Sequence, residues 1–393
     1  MARNPIGFKV TDSTAGWNKA DFDDIFVRKD CFLEGGLWLW GKGTTGELGN
    51  NTALNSCSPI QTIAGGSNWK QVSLGGGHAA GIKTDGTLWL WGLNTAGPIG
   101  DNTTIARSSP VQTVSGGTNW RQVSLGFSIS AAIKTDGTLW LWGSGVCGSI
   151  GDGTTAFRSS PVQTISGGND WKQVSLSIVS SAAIKTDGTL WLWGGGDDGR
   201  LGTGNTLPRS SPVQTVSGGN NWKQVSLGQQ HAAAIKTDGT LWLWGRSFEG
   251  ELGTGLRNSR CSPVQTVSGG TDWRQVSLGS YTSAAIKTNG TLWFWGRGDI
   301  GQIGDGVAAS RSSPVQTVSG GTNWRQVSVG ERFSAAIKTD GTLWMWGANN
   351  YGQLGISSYA YRSSPVQTIS GGTNWRQVSL TYFASAAIRE DCW

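Results

Sequence analysis

Residues 131–143 read Ala-Ala-Ile-Lys-Thr-Asp-Gly-Thr-Leu-Trp-Leu-Trp-Gly, and this stretch decides the fold of the chain. The Asp136-Gly137 pair between two short apolar runs is the strongest two-residue signal for a β-hairpin. In the second run one face carries only Leu and the other only Trp. A strand with one face in water would alternate apolar with polar residues, so we expect this strand to be covered on both faces.

The same stretch recurs every 51 residues, in seven copies that run from Leu37 to Trp393 without an insertion or deletion. Three Trp columns, which start at Trp38, Trp40 and Trp69, contain all but two of the 23 Trp residues. Such a fixed period is the signature of a repeat architecture. The chain therefore divides into residues 1–36, which lack the repeat, and a repeat domain at 37–393.

Each repeat predicts four short strands. In one copy these are Leu88–Trp91, Pro110–Val114, Trp120–Leu125 and Ala131–Thr135, separated by Gly-rich loops and without a helical period. Four-stranded units of this length with two apolar faces are typical of β-propeller blades, whereas an open β-solenoid is the competing interpretation.

The two ends of the repeat domain favour the propeller. Residues 385–391 repeat the first strand of the Asp-Gly hairpin, and residues 37–40 repeat its second strand. In an open solenoid both strands would be bare edges, which favour aggregation. In a ring they pair. We therefore predict an all-β, seven-bladed propeller that is closed by its N- and C-terminal strands.

The repeat resembles that of the regulator-of-chromosome-condensation (RCC1) family. The resemblance rests on Trp40-Gly41 followed by Gly46-x-Leu48-Gly49, on the equivalent residues 346–355, and on the Pro-Val-Gln run. It covers 37–393 and implies the propeller fold. It specifies function poorly, because a shared fold supports unrelated activities.

Three activities known in that family can be compared with these residues, and none transfers well. Nucleotide exchange on the GTPase Ran uses a basic tail, but residues 1–36 carry five Lys or Arg against six Asp or Glu. Plant UV-B sensing uses a Gly-Trp-Arg-His-Thr motif, whereas residues 119–123 read Asn-Trp-Arg-Gln-Val. The β-lactamase inhibitor is secreted, and this sequence shows no secretory signal.

Chemical motifs are sparse, and we expect no catalytic activity, cofactor or metal site. Four Gly-x-Gly-x-x-Gly matches lead into more loop and not into a helix, so turn glycines explain them. His78 and His231 share one repeat position three repeats apart, which fits a structural role. The five Cys show no Cys-x-x-Cys spacing, and Arg297-Gly298-Asp299 lies in a variable Gly-rich loop where chance explains it.

Charge and hydropathy exclude further classes. The net charge is +6, and most Lys and Arg fall in three repeat columns, partly offset by an Asp two residues from one of them. A basic ring could hold phosphates, but no aromatic stripe for bases accompanies it, so we do not expect nucleic acid as a partner. No apolar stretch approaches the 18 residues of a membrane span, so we expect no membrane insertion.

Differences between the copies indicate a binding function. The repeats diverge in the loop after Trp-Gly (42–55 and equivalents) and in the short loop after Val-Ser-Leu (75–79 and equivalents). A rigid scaffold with divergent loops is typical of recognition proteins. All five Tyr lie in such segments of the last three repeats, and Tyr and Arg are common at binding hot spots. Drift in tolerant loops is the alternative explanation. The candidate binding residues are Tyr281, Arg332, Phe333, Tyr351, Tyr359, Tyr361, Tyr382 and Phe383.

The biological setting is inferred by analogy. A Gly/Ser/Thr/Asn-rich, weakly charged chain with a separate N-terminal segment resembles bacteriophage virion proteins of the tail or capsid. We therefore expect a location in a virion, with other virion subunits and a host surface protein or glycan as partners. The alternative is a cytoplasmic propeller that acts as a guanine-nucleotide exchange factor or an adaptor.

Two further hypotheses concern the ends of the chain. Residues 1–36 are expected to anchor the domain to an assembly through the apolar side chains of Phe22, Ile25, Phe26 and Phe32, with a disordered leader as the alternative. Cys31 and Cys392 lie near the split hairpin and could form a disulfide, whereas free thiols are the default in a reducing cytosol.

Overall fold

The computed structural model describes residues 34–64, 66 and 68–391, which form 28 strands in seven antiparallel four-stranded sheets. Two single turns of 3₁₀ helix, Val146–Gly148 and Asp197–Gly199, interrupt the loops. The predicted seven-bladed all-β propeller is confirmed. No helix in this part of the chain has the length and apolar character needed to cross a bilayer.

The strands fall into four classes, A to D, in the order in which they pair within a blade. The A strands read Trp-Lys/Arg-Gln-Val-Ser-Leu or Val: β3 (Trp69–Leu74), β7 (Trp120–Leu125), β11 (Trp171–Leu176), β15 (Trp222–Leu227), β19 (Trp273–Leu278), β23 (Trp324–Val329) and β27 (Trp375–Leu380). The B strands follow: β4 (His78–Lys83), β8 (Ile129–Lys134), β12 (Ser180–Lys185), β16 (His231–Lys236), β20 (Thr282–Lys287), β24 (Phe333–Lys338) and β28 (Ala384–Asp391). The C strands carry the Trp pair: β5 (Leu88–Gly92), β9 (Leu139–Gly143), β13 (Leu190–Gly194), β17 (Leu241–Gly245), β21 (Leu292–Gly296), β25 (Leu343–Gly347) and β1 (Glu34–Gly41). The D strands form the outer edge: β6 (Arg107–Gln112), β10 (Arg158–Gln163), β14 (Arg209–Gln214), β18 (Arg260–Gln265), β22 (Arg311–Gln316), β26 (Arg362–Gln367) and β2 (Ser56–Gln61).

We number the blades from β3–β6 (blade 1) to β23–β26 (blade 6), so that blade 7 combines β27 and β28 with β1 and β2. In blade 7 the B and C strands come from opposite ends of the chain and pair antiparallel, with Leu37 opposite Ile388. This pairing extends over eight residue pairs, whereas the same pairing in blade 3 extends over five. The predicted closure is confirmed, and the longer ladder strengthens the one blade that has no covalent hairpin.

The core consists of seven apolar clusters, one between each pair of neighbouring blades. Leu88 and Leu90 of blade 1 pack against Trp120 of blade 2, while Trp91 of the same strand packs against blade 7. The Leu face and the Trp face of each C strand therefore serve opposite neighbours. This arrangement explains why neither face of that strand carries a polar residue.

The A strands surround a channel along the axis of the ring, and they are joined to one another by side chains. Gln122 donates from Nε2 to the carbonyl of Val174 (3.1 Å), and its Oε1 accepts from the Val174 amide (3.2 Å). The Ser124 hydroxyl accepts from the Leu176 amide at 3.2 Å. The same bonds join all seven A strands, including Gln377 to Val72 across the ring closure. We call this set of bonds the Gln belt.

The strand directions sort the loops onto two faces. The A–B and C–D loops lie together, because the first residue of each C–D loop donates its amide to the last residue of the A–B loop, as Leu93 does to Gly77 at 2.8 Å. We call this end the loop face. The B–C hairpins and D–A loops lie at the opposite end, the hairpin face. Both segments in which the repeats diverge therefore start from the same face.

Candidate binding surface on the loop face

An aromatic patch covers the loop face at blades 6 and 7. The Phe383 ring centroid lies 5.0 Å from that of Tyr351 and 6.2 Å from that of Tyr382. Tyr351 belongs to the C–D loop of blade 6, whereas Tyr382 and Phe383 belong to the A–B loop of blade 7. Three of the predicted binding residues are thus brought into one cluster.

Phe127 of blade 2 joins this patch from across blade 1. Its ring meets Tyr382 edge to face with centroids 5.2 Å apart. This position depends on Gly76 of blade 1, where an added Cβ would lie 2.4 Å from Cδ2 of Phe127. Phe127 was not among the binding residues predicted from the sequence, because its contact with Tyr382 joins blades that are not adjacent in the chain.

Cationic side chains lie on the same loop face, and one of them, Lys42, contacts the patch. The guanidinium carbon of Arg246 lies 4.5 Å from the Tyr281 ring centroid, and that of Arg297 lies 5.9 Å from it. Lys42 lies 5.6 Å from the Phe383 ring centroid. Arg332 is partly exposed, with its Nε 3.8 Å from a Glu331 oxygen. Tyr281 and Arg332 therefore belong to the same surface, while Lys42, Arg246 and Arg297 were not singled out from the sequence.

Tyr359 and Tyr361 lie on the C–D loop of blade 6 and are 58% and 47% exposed. Tyr361 donates its hydroxyl to Asn350 Oδ1. Within the described part of the chain, neither ring contacts the cluster formed by Tyr351, Tyr382 and Phe383. They extend the candidate surface outward along the same loop.

Phe333 has to be removed from the candidate surface. It is the first residue of β24 and is fully buried in the cluster between blades 6 and 7. The sequence placed it in a variable loop, but strand B begins at this position in all seven blades, so its side chain packs inward. Its variation between repeats reflects packing and not recognition.

Known proteins share this repeat and this architecture. The RCC1-like domain signature matches residues 36–385. The chain belongs to the RCC1-like domain family. The ultraviolet-B receptor UVR8 of Arabidopsis thaliana is 29% identical over 83% of this chain and 76% of its own length. The human E3 ubiquitin-protein ligase HERC2 is 28% identical over 87% of this chain, which spans only 8% of that protein. The Saccharomyces cerevisiae Prp20p structure superposes with a TM-score of 0.79 at 17% identity, covering 92% of each chain.

The histidines of this RCC1-like domain are buried structural residues. The Nε2 of His78 lies 3.1 Å from the Ser130 hydroxyl, and that of His231 lies 2.9 Å from the Ser283 hydroxyl. In each pair the serine belongs to the next blade, and burial lowers the pKa of both histidines to about 3. Neither ring reaches the loop-face surface, so the pairs hold neighbouring blades together.

Two motifs that the sequence discounted have structural explanations in this RCC1-like domain. Gly148, which ends one of the four Gly-x-Gly-x-x-Gly matches, has a φ of +79°, and a Cβ there would lie 2.4 Å from the Cα of Ser210 in the next blade. Arg297 and Asp299 of the Arg-Gly-Asp tripeptide form an ion pair at 2.7 Å. Its two charged groups are therefore engaged with each other.

The hairpin face is nearly the same in all seven blades of the RCC1-like domain. The Lys236 Nζ lies 4.8 Å from the Trp222 ring centroid and 4.9 Å from that of Trp242. The equivalent Lys or Arg contacts two Trp rings in each of the other six blades. The hydroxyl and amide of Thr240 hydrogen-bond to Asp238 and hold the pKa of this carboxyl below its usual value. Lys236 and its equivalents, including Arg389 in blade 7, therefore pack against the Trp side chains of the scaffold.

The hypotheses about the chain ends fall outside the described residues. These hypotheses concern Cys31, Cys392, Phe22, Ile25, Phe26 and Phe32. Cys57, Cys147 and Cys261 are free thiols. In the described part of the chain, no group of three His, Cys, Asp or Glu side chains is placed to hold a metal ion.

Proposed function

We propose that this RCC1-like domain is a non-enzymatic protein-interaction module that binds its partner through the loop face. One observation supports the proposal above all. The scaffold is nearly the same in all seven blades, and both of the divergent loops start from one face of it. Rigid scaffolds that present varied loops are suited to recognition.

The binding energy is proposed to come from the aromatic patch and the arginines beside it. Tyr351, Tyr382 and Phe383 offer large contact area with few rotatable bonds, and Arg332 supplies a partly exposed donor at their edge. Such side chains dominate measured interface energies. Tyr281 and the exposed Tyr359 and Tyr361 complete a contact area that extends over blades 5 to 7.

The relatives support the interaction role and not the virion setting. Those compared above come from a plant, a human and a yeast, and Prp20p is described by its binding to Gsp1p and histones. We therefore favour the alternative of an adaptor or exchange factor whose partner is a protein. Virion subunits and host glycans receive no support from these relatives. The rate of nucleotide release from Gsp1p loaded with a fluorescent GDP analogue distinguishes an exchange factor from an adaptor. An exchange factor accelerates the release, whereas an adaptor leaves the rate unchanged.

The decisive experiment replaces Tyr351, Tyr359 and Tyr361 with Ser in the full chain. Binding partners are captured from the source cell extract and quantified by mass spectrometry for the wild type and the variant. The matched control is the Ile105→Ser, Phe157→Ser and Leu207→Ser variant, which removes three exposed apolar side chains from the same loops of blades 1 to 3. We expect at least a tenfold loss for the Tyr variant alone, with the melting temperature nearly unchanged. Equal losses in both variants would refute the assignment to blades 5–7.

Of the predicted N-terminal segment 1–36, residues 34–36 belong to β1, and residues 1–33 are proposed to dock the domain onto an assembly. Their apolar side chains, including Phe22 and Phe26, provide contact area beside both signs of charge. Removal of residues 1–30 is expected to leave the far-ultraviolet circular dichroism of the ring intact and to abolish co-sedimentation with the assembly. Unchanged co-sedimentation would contradict this docking role.

A further inference from the structure

A pocket of about 100 Å³ lies on the axis of the ring, at the mouth of the channel on the loop face. Every blade contributes the last residue of its A strand and the first two residues of its A–B loop. The second loop residue differs in each blade and gives the pocket its chemistry. These residues are Gly76, Phe127, Ile178, Gln229, Ser280, Glu331 and Tyr382.

The pocket is divided into an apolar and a polar side. Phe127, Ile178 and Tyr382 carry its large apolar groups, while Gln229 and Glu331 carry polar ones. Among the described residues, the Glu331 carboxylate is the only charged group in the lining. The pocket thus has one negative charge beside aromatic side chains, whereas the propeller scaffold around it is nearly symmetric.

The Glu331 carboxylate has no hydrogen-bond donor among the described residues. Its closest cation, Nε of Arg332, stands 3.8 Å away. Burial raises the pKa of Glu331, which shows that the charge is poorly solvated where it stands. A half-buried carboxylate with one long ion pair and no hydrogen-bond donor from the described residues gains free energy from a donor that enters the pocket.

The phenol of Tyr382 adds a second oxygen without a partner in the described structure. Burial raises its pKa, and the nearby Glu331 and Tyr281 raise it further. Glu331 and Tyr382 both line the pocket and come from neighbouring blades. An ammonium group offers three N–H donors and a guanidinium five, so both can use several acceptors at once.

We propose that the channel mouth binds a cationic side chain, a lysine ammonium or an arginine guanidinium, that the partner of the loop face inserts between Glu331 and the rings of Tyr382 and Phe127. The carboxylate neutralises the cation, and the aromatic faces attract it. A neutral side chain would add no positive charge beside the carboxylate, and an acidic one would be repelled. This inference rests on the proposed function and identifies the chemistry of the partner.

The test uses amino-acid probes and the full chain, so it does not require the partner. N-acetyl-lysine N-methylamide and N-acetyl-arginine N-methylamide are titrated into protein with labelled Ile methyl groups. The neutral isostere N-acetyl-norleucine N-methylamide is the comparison ligand. The Ile178 methyl resonance reports directly on the pocket that this residue lines. We expect a saturable shift with one or both cationic probes and none with the norleucine probe.

Two variants and one control complete the test. Glu331→Gln keeps the shape and removes the charge, and it should weaken cation binding at least tenfold. Tyr382→Phe removes only the hydroxyl and should weaken binding by a smaller factor. Glu249→Gln removes a carboxylate from the same face outside the pocket lining, and it should bind like the wild type. Equal affinity of Glu331→Gln and wild type, or an equal shift with norleucine, would overturn the proposal.

The same variants separate this inference from the proposed function. If Glu331→Gln retains the captured partner while the Tyr351, Tyr359 and Tyr361 variant loses it, the cation site is refuted and the binding face stands. If the Tyr variant retains the partner, the assignment of the face fails, whatever the methyl titration shows. Circular dichroism confirms that each variant is folded.

Discussion

Two buried histidines make the stability of the ring sensitive to acid. His78 and His231 are fully buried, and burial lowers the pKa of each to about 3, below the value near 6.5 of an unfolded chain. Above pH 6.5 both states are neutral at these sites, so the histidines have no effect on pH dependence there. As the pH falls from 6.5 towards 3, the unfolded chain binds protons that the folded chain excludes, and the free energy of unfolding falls.

The expected size of this effect is about 2 kcal/mol for each histidine at pH 5, as the linkage relation gives for a shift of about 1.5 pH units below 6.5. Replacement of both by Thr, the residue at this position in blade 5, should flatten the pH dependence by about 4 kcal/mol between pH 7.5 and pH 5. Urea unfolding of the wild type and the double variant at the two pH values measures it. Equal slopes would show that the histidines take up protons in the folded state.

The positions of Phe333 and Phe127 could not be predicted from the sequence. The position of Phe333 varies between the repeats, and variation indicated a loop, although the structure places it in β24. The first residue of a strand cannot be told from the last residue of a loop when the turn is only three residues long. Phe127 reaches Tyr382 only because Gly76 leaves room, and that contact joins blades that are not neighbours in the sequence.

At the scale of elements, the Gln belt joins the A strands without a β-ladder. Gln224→Ala would remove two hydrogen bonds to Val276 and leave both the amide and the carbonyl of that residue unpaired. Loss of a partner by buried polar groups costs roughly 1–3 kcal/mol for each group. We expect the variant to be destabilised by about 2–4 kcal/mol in urea unfolding. Lys223→Ala, at an exposed position of the same strand, is the control and should change stability by less than about 0.5 kcal/mol. A cost as small as that of the control would mean that water replaces the belt.

The strands themselves were predictable, whereas the belt was not. The Leu-Trp-Leu-Trp runs and the Asp-Gly hairpins follow from periodicity and turn chemistry, and the structure reproduces them. Gln122 and its equivalents were visible as a constant column. Their partners were not visible, because neighbouring A strands are 51 residues apart and no ladder register relates them.

At the scale of the whole molecule, the closure of blade 7 can be tested by circular permutation. Residues 391 and 34 would be joined by an Asp-Gly turn, and the chain would be opened at Gly116-Gly117 between blades 1 and 2. Every blade would then be covalently continuous, and closure would depend on side-chain contacts alone. We expect the permutant to fold but to unfold at a lower urea concentration, because the eight-pair ladder no longer joins the chain ends. An unchanged midpoint would show that the strand exchange adds nothing to closure.

The ring combines a nearly seven-fold scaffold with an asymmetric face. The symmetry could be derived from the sequence because each repeat has the same length and the same Trp columns. The asymmetry was visible as a distribution of Tyr, but the grouping of those residues with Phe127, Glu331 and the arginines required the ring. Loops that are distant in the chain meet only when the circle is complete.

The D strands have a consequence for behaviour at high concentration. Each carries a proline, Pro110 in blade 1, which cannot donate a hydrogen bond, and its pairing with strand C shifts register. An incoming strand from another molecule would therefore find an interrupted outer edge, while the Gln side chains occupy the inner one. Among the described residues, each of the 28 strands belongs to a four-stranded blade whose outer edge carries a proline. Strand addition from a second molecule is therefore disfavoured at that edge.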